Sequence, residues 1–347
     1  MDRNEIDISI IVPCFNELKF IDGLVSSVIN QTFDKKRLEL IIIDGGSTDG
    51  TQKKIWHLKH RFSFIRILHN PDVTVPSALN LGIKHARGTY IARMDVHAIY
   101  PKDYLQRLYQ ASQKSDAANI GCCIKTLPGR RSSKALSIAY ALSNPFGVGN
   151  SYFRIGIKTP REVDTVPFGF FHRDLFAKIG DFDTEIPCGE DHEFNARIKK
   201  AGMKVYLIPG DKIHYYSRDS FKNLATMMYQ YGFSRPVVNK KIGSPATIRQ
   251  FIPLILVLTL LVSALLAPFS HFFLGSLVGV STVYLSAGAV AAAFSAKNAR
   301  RSHIKIWWQT VISFVISHFA YGVGYIAGLF SLFSQTSPHG SLVKVTR

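Results

Sequence analysis

Over the first hundred residues, continuous β-branched apolar runs alternate with segments whose apolar positions recur every three or four residues. "ISIIVP" (8–13) is closed by a proline and has the pattern of a strand buried on both faces. Ile21, Leu24, Val25, Val28 and Ile29 follow at helical spacing, and "LELIIID" (38–44) repeats the buried-strand pattern, so the chain opens with a βαβ unit. The same reading predicts a helix over 51–61, a strand at 65–68, a helix near 77–86 and a strand ending at Asp95, with a further helix starting near Pro101. Parallel strands joined by helices make a doubly wound α/β sheet, which binds ligands outside the carboxyl ends of its strands.

Beyond residue 245 the pattern changes. Phe251 to Phe269 and Phe272 to Phe294 carry no acidic or basic residue, and Trp307 to Phe333 carries only His318. Each reaches the roughly 20 residues that a bilayer core demands, so three transmembrane helices are predicted. Arg235, Lys240, Lys241 and Arg249 precede the first, and Lys297, Arg300, Arg301 and Lys305 lie between the second and third, while "SH" joins the first two. The excess of positive charge on the cytoplasmic side of spans then puts residues 1–235 in the cytosol, 236–347 in a membrane region, and the tail with Lys344 and Arg347 outside. "MDRNEIDISIIVP" lacks the basic start of a secretory signal.

The segment "SFKNLATMMYQYGFSRP" (220–236) sets Phe221, Leu224, Met228 and Tyr231 along one helical stripe. Such a stripe is either core or a helix lying in the membrane interface, and its position before the first span favours the second.

The net charge of +18 has the sign of a nucleic-acid binder, but much of the excess flanks the spans and no nucleic-acid motif accompanies it. Attraction to anionic lipid and anionic substrates accounts for it better. Cys14, Cys122, Cys123 and Cys188 have neither a paired framework nor metal-site spacing, as a reducing compartment implies.

The chemistry collects at the predicted strand ends. Asn16 and Glu17 follow the first strand, Asp44 ends the second, and Asp95 with His97 ends the fourth. Each has a plainer reading: Asp44 in "DGGSTDGT" as turn chemistry, Asp95 as a helix cap, His97 as a satisfied histidine. Together they suit a nucleoside diphosphate bound through Mg²⁺ or Mn²⁺, with the imidazole better tolerated by Mn²⁺. "GGSTDG" has no lysine and is no Walker loop. Glu190 and Asp191 stand before an amphipathic helix marked by Phe194, Ile198 and Ala201. They are either helix-dipole carboxylates or a general base.

The ordered set "IIVPCFNE", "IIIDGGSTDGT", "ALNLGIKHARGTYIARMDVH", "GDFD" and "GEDHEFNARIKKAG" resembles the inverting family 2 glycosyltransferases over about residues 7 to 235. Within that family "MDVHAIYP", "VDTVPFGFFHRDLF" and "SHFAYGVGYIAGL" look like the membrane-bound succinoglycan-type enzymes of bacterial exopolysaccharide assembly. The resemblance implies a GT-A doubly wound mixed sheet followed by the membrane helices. It implies that Pro13, Glu17, Asp44, Asn80 and Asp95 line the nucleotide-sugar site. Asp95 and His97 stand where the family has its Asp-x-Asp metal motif, and Asp191, beside Glu190, matches the catalytic base. Apart from the resemblance, Arg218 and Arg235 have two open readings, cationic stabilisation near the diphosphate or surface and lipid-headgroup contacts.

The expected reaction moves one sugar from a nucleotide-diphosphate donor to a polyprenyl-diphosphate-linked saccharide at the bacterial inner membrane. A polyprenyl-phosphate sugar synthase and a processive polysaccharide synthase are the alternatives. Against the latter, Gln230 is not followed by the Arg-Trp of processive synthases, and three spans form a poor channel. A nucleotidyltransferase would need a basic Gly-rich loop after the first strand, and a non-enzymatic membrane scaffold would not need Asp95, His97 and Asp191 together.

Overall fold

In this computed structural model residues 6–186, 188–296 and 303–333 are described. The elements in chain order are β1 (Ile8–Cys14), α1 (Ile21–Ile29), β2 (Leu38–Asp44), α2 (Thr51–Arg61), β3 (Ile65–His69), α3 (Val75–His85), β4 (Tyr90–Arg93), β5 (Ala98–Ile99), α4 (Tyr104–Lys114) and β6 (Ala117–Leu127). There follow α5 (Ser133–Ala141), α6 (Pro145–Val148), α7 (Tyr152–Ile155), β7 (Arg161–Glu162), β8 (Phe170–His172), α8 (Leu175–Ile179), α9 (Glu190–Lys200), β9 (Lys204–Tyr216), α10 (Phe221–Ile242), α11 (Phe251–Leu266), α12 (His271–Ala296) and α13 (His303–Phe333).

The chain forms two units: residues 1–125, 156–186 and 190–215, and residues 126–155, 187–189 and 216–347. The second unit thus takes in 126–155 and 216–235, segments that the sequence reading grouped with the catalytic domain.

The β-branched runs build the centre of the sheet because such side chains pack well on a pleated, two-sided surface. Its strand order is β3-β2-β1-β4-β8-β6-β9-β5, with β7 on β9. β1 to β4 pair in parallel, with Cys14 opposite Asp44 and Ile8 opposite both Leu38 and Tyr90, while β8 runs antiparallel to both β4 and β6. The result is a mixed sheet in which every residue of β2 is buried. α3 packs so closely on the sheet that a Cβ on Gly82 would collide with Ile11 and crowd Ile43. Asp95 lies beyond the end of β4, not within it, because the chain turns there: the Asp95 carbonyl accepts the Ala98 N–H. α3 starts two residues earlier than expected, since Thr74 accepts the Ser77 N–H as its cap. The helix expected near Pro101 starts at Tyr104.

At the amino end of the strands, away from the predicted site residues, Glu39 is 1% exposed. It accepts Ser9 Oγ at 2.6 Å, the Arg87 N–H at 2.7 Å and Arg66 Nη1 at 2.8 Å. Burial by itself pushes this carboxyl up, but the Ser9, Arg87 and Arg66 hydrogen bonds outweigh it and hold Glu39 below its ordinary value.

In the second unit the stripe of α10 is core. Leu224, Met227 and Met228 pack with Ile138 and Leu142 of α5, and Phe221, Tyr231, Ile316 and Tyr321 close over them. This overturns the interfacial reading of the stripe, because protein side chains cover the face that would have met lipid. α10 and α13 meet backbone to backbone: Gly232 lies on Tyr321 and Tyr325, and Gly324 and Gly328 lie on Tyr229 and Phe233. Small residues permit this approach, and in lipid it replaces the missing hydrophobic drive with dispersion contacts.

Ile248–Leu266, His271–Ser295 and His303–Phe333 are long and apolar enough to cross a membrane. Ile252, Leu265, Phe272, Val283 and Phe294 are exposed, a surface that water does not favour and lipid does. Of the basic residues used to orient the spans, Lys297, Arg300, Arg301, Lys344 and Arg347 lie outside the described residues.

Replacing Glu39 by Gln is expected to destabilise the chain by about 2 kcal/mol at neutral pH, the scale of lost charge-assisted hydrogen bonds. The lowered carboxyl stabilises above its ordinary value of 4.5 and ceases to as pH falls through the lowered one. Thermal melts of both proteins should therefore differ at pH 7 and converge on acidification; a constant gap would refute the assignment.

Candidate active site

The loops after β1 and β2 are sewn together. Asn16, in the left-handed region at φ 56°, donates its N–H to Ser47 Oγ at 2.8 Å and accepts the Thr48 N–H at 2.8 Å. The Glu17 N–H goes to Thr51 Oγ1 at 2.9 Å and the Leu18 N–H to Asp49 at 3.1 Å. These bonds fix the backbone that carries Glu17. Asp44 closes its own turn, accepting the N–H groups of Gly46 and Ser47, Ser47 Oγ and Gln52 Nε2. Pro13, opposite Ile43, is half-buried in β1 just before this loop.

Arg93 is the centre of the site. The last residue of β4, it is 5% exposed, and its N–H is held by the Gly169 carbonyl at 3.1 Å. Its guanidinium pairs with Glu190 at 2.7 Å, with Asp191 through Nη1, and with Asp95 at 3.9 Å. Desolvation alone would ease its proton off, yet Asp191, Glu190 and Asp95 reverse this and raise its pKa, so it stays charged. One guanidinium thereby gathers a strand-end carboxylate and two helix carboxylates.

α9 presents Asp191 to this centre for a geometric reason. Residues three, four and seven positions apart share a helix face, so Asp191 lies above Phe194, Asn195 and Ile198, all buried. Phe194 stacks on Phe182 at 4.4 Å and on Phe176 at 5.4 Å. Asn195 accepts from Asn119 at 2.6 Å and donates to Thr165 at 2.9 Å, which ties α9 to the sheet. Arg197 pairs with Glu193 and donates to the carbonyls of Ile179 and Asp181, anchoring the loop that leads into the helix.

The Asp191 carboxyl is raised to about 7: burial is the largest cause, Arg93 opposes it, and Glu190 and Asp95 add to it. Its second oxygen accepts the Phe168 N–H at 3.4 Å. Phe168 holds φ 67°, Val73 φ 55° and Asn16 φ 56°. For Phe and Val this backbone is strained, and all three residues lie in loops leaving or entering strands of the sheet.

His97 stands between two carboxylates, with Nε2 3.4 Å from Asp95 Oδ2 and Nδ1 3.8 Å from Glu17 Oε1. Tyr215 packs against its ring at 5.2 Å, and Tyr100 Oη accepts the Asp95 N–H at 2.6 Å. Two ligands at right angles on one octahedral ion lie about 3 Å apart, so Asp95 and His97 together fit a divalent cation. The negative excess of three carboxylates over one guanidinium fits it as well. Among the described residues no group of three or more His, Cys, Asp or Glu side chains is arranged to hold a metal ion, so the fit is that of two ligands only.

Asn80 is a clip: its amide donates to the Phe182 carbonyl at 2.8 Å and accepts the Phe182 N–H at 2.9 Å, pinning "GDFD" to α3. Arg218 and Arg235 belong to the second unit. Sequence reasoning missed Arg93, Tyr100 and Phe168. The one signal for Arg93 was a charged residue inside a buried strand, two positions before Asp95.

Residues 9–180 match the model of glycosyl transferase family 2. Over 242 residues the chain is 32% identical to the dolichyl N-acetyl-alpha-D-glucosaminyl phosphate 3-beta-D-2,3-diacetamido-2,3-dideoxy-beta-D-glucuronosyltransferase of Methanococcus voltae, covering 67% of this chain and 74% of that one. It is 27% identical to the succinoglycan biosynthesis protein ExoA of Rhizobium meliloti over 71% of this chain and 74% of the other. The chain therefore belongs to glycosyl transferase family 2, and it is an inverting glycosyltransferase. Its structure is similar to mannosyltransferase PcManGT from Pyrobaculum calidifontis, solved with GDP-Man and Mn²⁺, at TM-score 0.58 and 17% identity over 93% of this chain and 87% of that one. It is also similar to S. aureus TarS 1–349, at TM-score 0.53 and 16% identity over 93% and 92%. At these identities the likeness is one of fold, which is GT-A.

Arg93→Met leaves Glu190 and Asp191 without their counter-ion and is expected to cost about 3 to 5 kcal/mol of stability. Arg93→Lys should recover part of the stability but little activity, since an ammonium cannot span three carboxylates in one plane. Melting curves and sugar-transfer rates check both; full activity of Arg93→Lys would show that the planar fork is not needed.

Proposed function

We propose that this enzyme transfers one sugar from a nucleoside diphosphate sugar to a hydroxyl of a polyprenyl-diphosphate-linked saccharide, in exopolysaccharide assembly at the cytosolic face of a bacterial inner membrane. The observation that carries this reading is the Arg93 cluster, which sets a base carboxylate of α9 and a metal-motif carboxylate just past β4 around one guanidinium. The lipid-linked acceptor is supported by the three candidate spans and by the M. voltae relative, whose name specifies a dolichyl-phosphate-linked sugar. The exopolysaccharide setting is supported by ExoA, and the nucleotide donor by PcManGT with its GDP-Man.

Asp191 is the general base, with Glu190 beside it on the same guanidinium. The acceptor hydroxyl oxygen attacks the anomeric carbon as its proton passes to Asp191. The bond from that carbon to the diphosphate oxygen breaks on the opposite face, and its electron pair leaves with the diphosphate. A single displacement inverts the configuration. Asp95 and His97 would hold the divalent ion, which when bound offsets the charge of the leaving diphosphate. Pro13, Glu17 and Asp44 border the nucleotide, with Asn80 supporting the loop beside it. Arg218 and Arg235 are proposed as cationic contacts to diphosphate or headgroup.

A base poised near neutrality is protonated and inactive below its pKa, so kcat/KM should fall as pH drops through about 7, the value to which Asp191 is raised. Asp191→Asn should lose roughly 100- to 10,000-fold in transfer and retain nucleotide binding. Near-normal turnover of that variant in a radiolabelled sugar-transfer assay would remove Asp191 from the role.

EDTA is expected to stop transfer, with Mn²⁺ restoring it at least as well as Mg²⁺ because the imidazole favours the softer ion. His97→Asp should shift the preference toward Mg²⁺, and Asp95→Ala should weaken metal-dependent nucleotide binding more than His97→Ala. An unchanged metal profile in His97→Ala, measured by nucleotide titration, would take His97 out of the ligand set.

A further inference from the structure

The second unit carries a cavity of about 680 Å³, open to the surface, whose lining comes from three distant stretches: the start of α5, the start of α10 and the first two turns of α13. Ser132 caps α5 by accepting the Ala135 N–H at 3.1 Å, and Ser220 caps α10 by accepting the Asn223 N–H at 3.2 Å. Two helices of nine and 22 residues thus bring the positive ends of their dipoles to one place. Arg130, Lys134 and Lys305 add three cations to the lining. The carboxylate among the lining residues, Asp219, is paired with Arg130 at 3.3 Å and leaves the two lysines uncompensated. Lys134 is exposed, and its ammonium lies over the Phe221 ring at 5.1 Å, on the rim of the cavity.

A second observation is independent of charge. Gln309 also lines the cavity, and its Oε1 is buried without a hydrogen-bond partner among the described residues. A buried acceptor left unpaired is costly, and a hydroxyl donor brought to this wall would relieve that cost. A third observation fixes the setting. α13 is a candidate span, and Lys305 and Gln309 lie in its first two turns, the depth at which headgroups meet a membrane helix.

We propose that this cavity binds the headgroup of an anionic glycerophospholipid that carries free hydroxyls, of the phosphatidylglycerol kind. The phosphate lies among Arg130, Lys134 and Lys305 at the two helix starts, and a headgroup hydroxyl donates to Gln309 Oε1 once that amide turns from its buried position toward the cavity. The inference rests on α13 as a span and needs neither sugar donor nor acceptor, so its failure is separate from that of the transfer reaction.

The test is native mass spectrometry of the full chain in neutral detergent, titrated with dioleoylphosphatidylglycerol, dioleoylphosphatidylcholine, farnesyl phosphate and inorganic phosphate. The expected result is saturable phosphatidylglycerol binding that is at least tenfold tighter than that of phosphatidylcholine. The double variant Lys134→Gln/Lys305→Gln should lose at least tenfold in affinity, Gln309→Leu severalfold, and Lys134→Arg/Lys305→Arg little. The arginine pair also shows that loss in the glutamine pair is not misfolding. Unchanged affinity in the glutamine pair overturns the proposal, as does phosphatidylcholine binding of equal strength. Displacement by farnesyl phosphate at lower concentration would reassign the site to a polyprenyl phosphate, and displacement by inorganic phosphate at equal concentration would reassign it to a free anion. Either overturns the glycerophospholipid as its ligand.

Discussion

A single buried guanidinium holds the candidate active site in register. Arg93 ends β4 and satisfies Glu190 and Asp191 at the start of α9 as well as approaching Asp95 beyond its own strand. Without a counter-ion, three carboxylates at one buried place would repel one another and oppose the approach of the first turn of α9 to the sheet. The same contact sets the chemistry of Asp191. Burial and two neighbouring carboxylates raise it while Arg93 restrains it, and the outcome is a carboxyl near neutrality, suited to accept and release a proton. Strain at Phe168 belongs to the same arrangement, since its left-handed backbone presents the N–H that Asp191 accepts. The packing of Phe194 and the Asn119–Asn195 bond offset that strain by fixing α9 from below.

The second unit follows a different rule. Its central helix α13 meets α10 through Gly232, Gly324 and Gly328, so backbones touch where side chains would normally intervene. α11 and α12 leave large apolar residues exposed, and Trp307 donates to the Ala289 carbonyl to join α12 and α13. Close packing on one helix and open apolar surface on the others is what a bundle needs when lipid, not water, surrounds it. The cationic cavity at the start of α13 belongs to the polar border of the same bundle.

Local pattern determined a great deal. The β-branched runs of β1 and β2, the bounds of α2, the three long apolar helices and the ordered glycosyltransferase motifs are all properties of short stretches read with one periodicity, and the fold class and the family follow from them. The tertiary structure decided what required two distant stretches at once. Arg93 reads in sequence as one charge in a strand, and only the arrival of α9, 97 positions later along the chain at Glu190, makes it the centre of the site. The apolar stripe of α10 has the same periodicity whether it faces lipid or protein, and α5 and α13 settled it as core. Asn80 could be seen as a polar residue in a motif, but its partner, the Phe182 backbone, is invisible until the loop folds against α3. A helix or strand is selected by neighbours a few residues away, whereas burial of a charge depends on which remote partner comes to meet it.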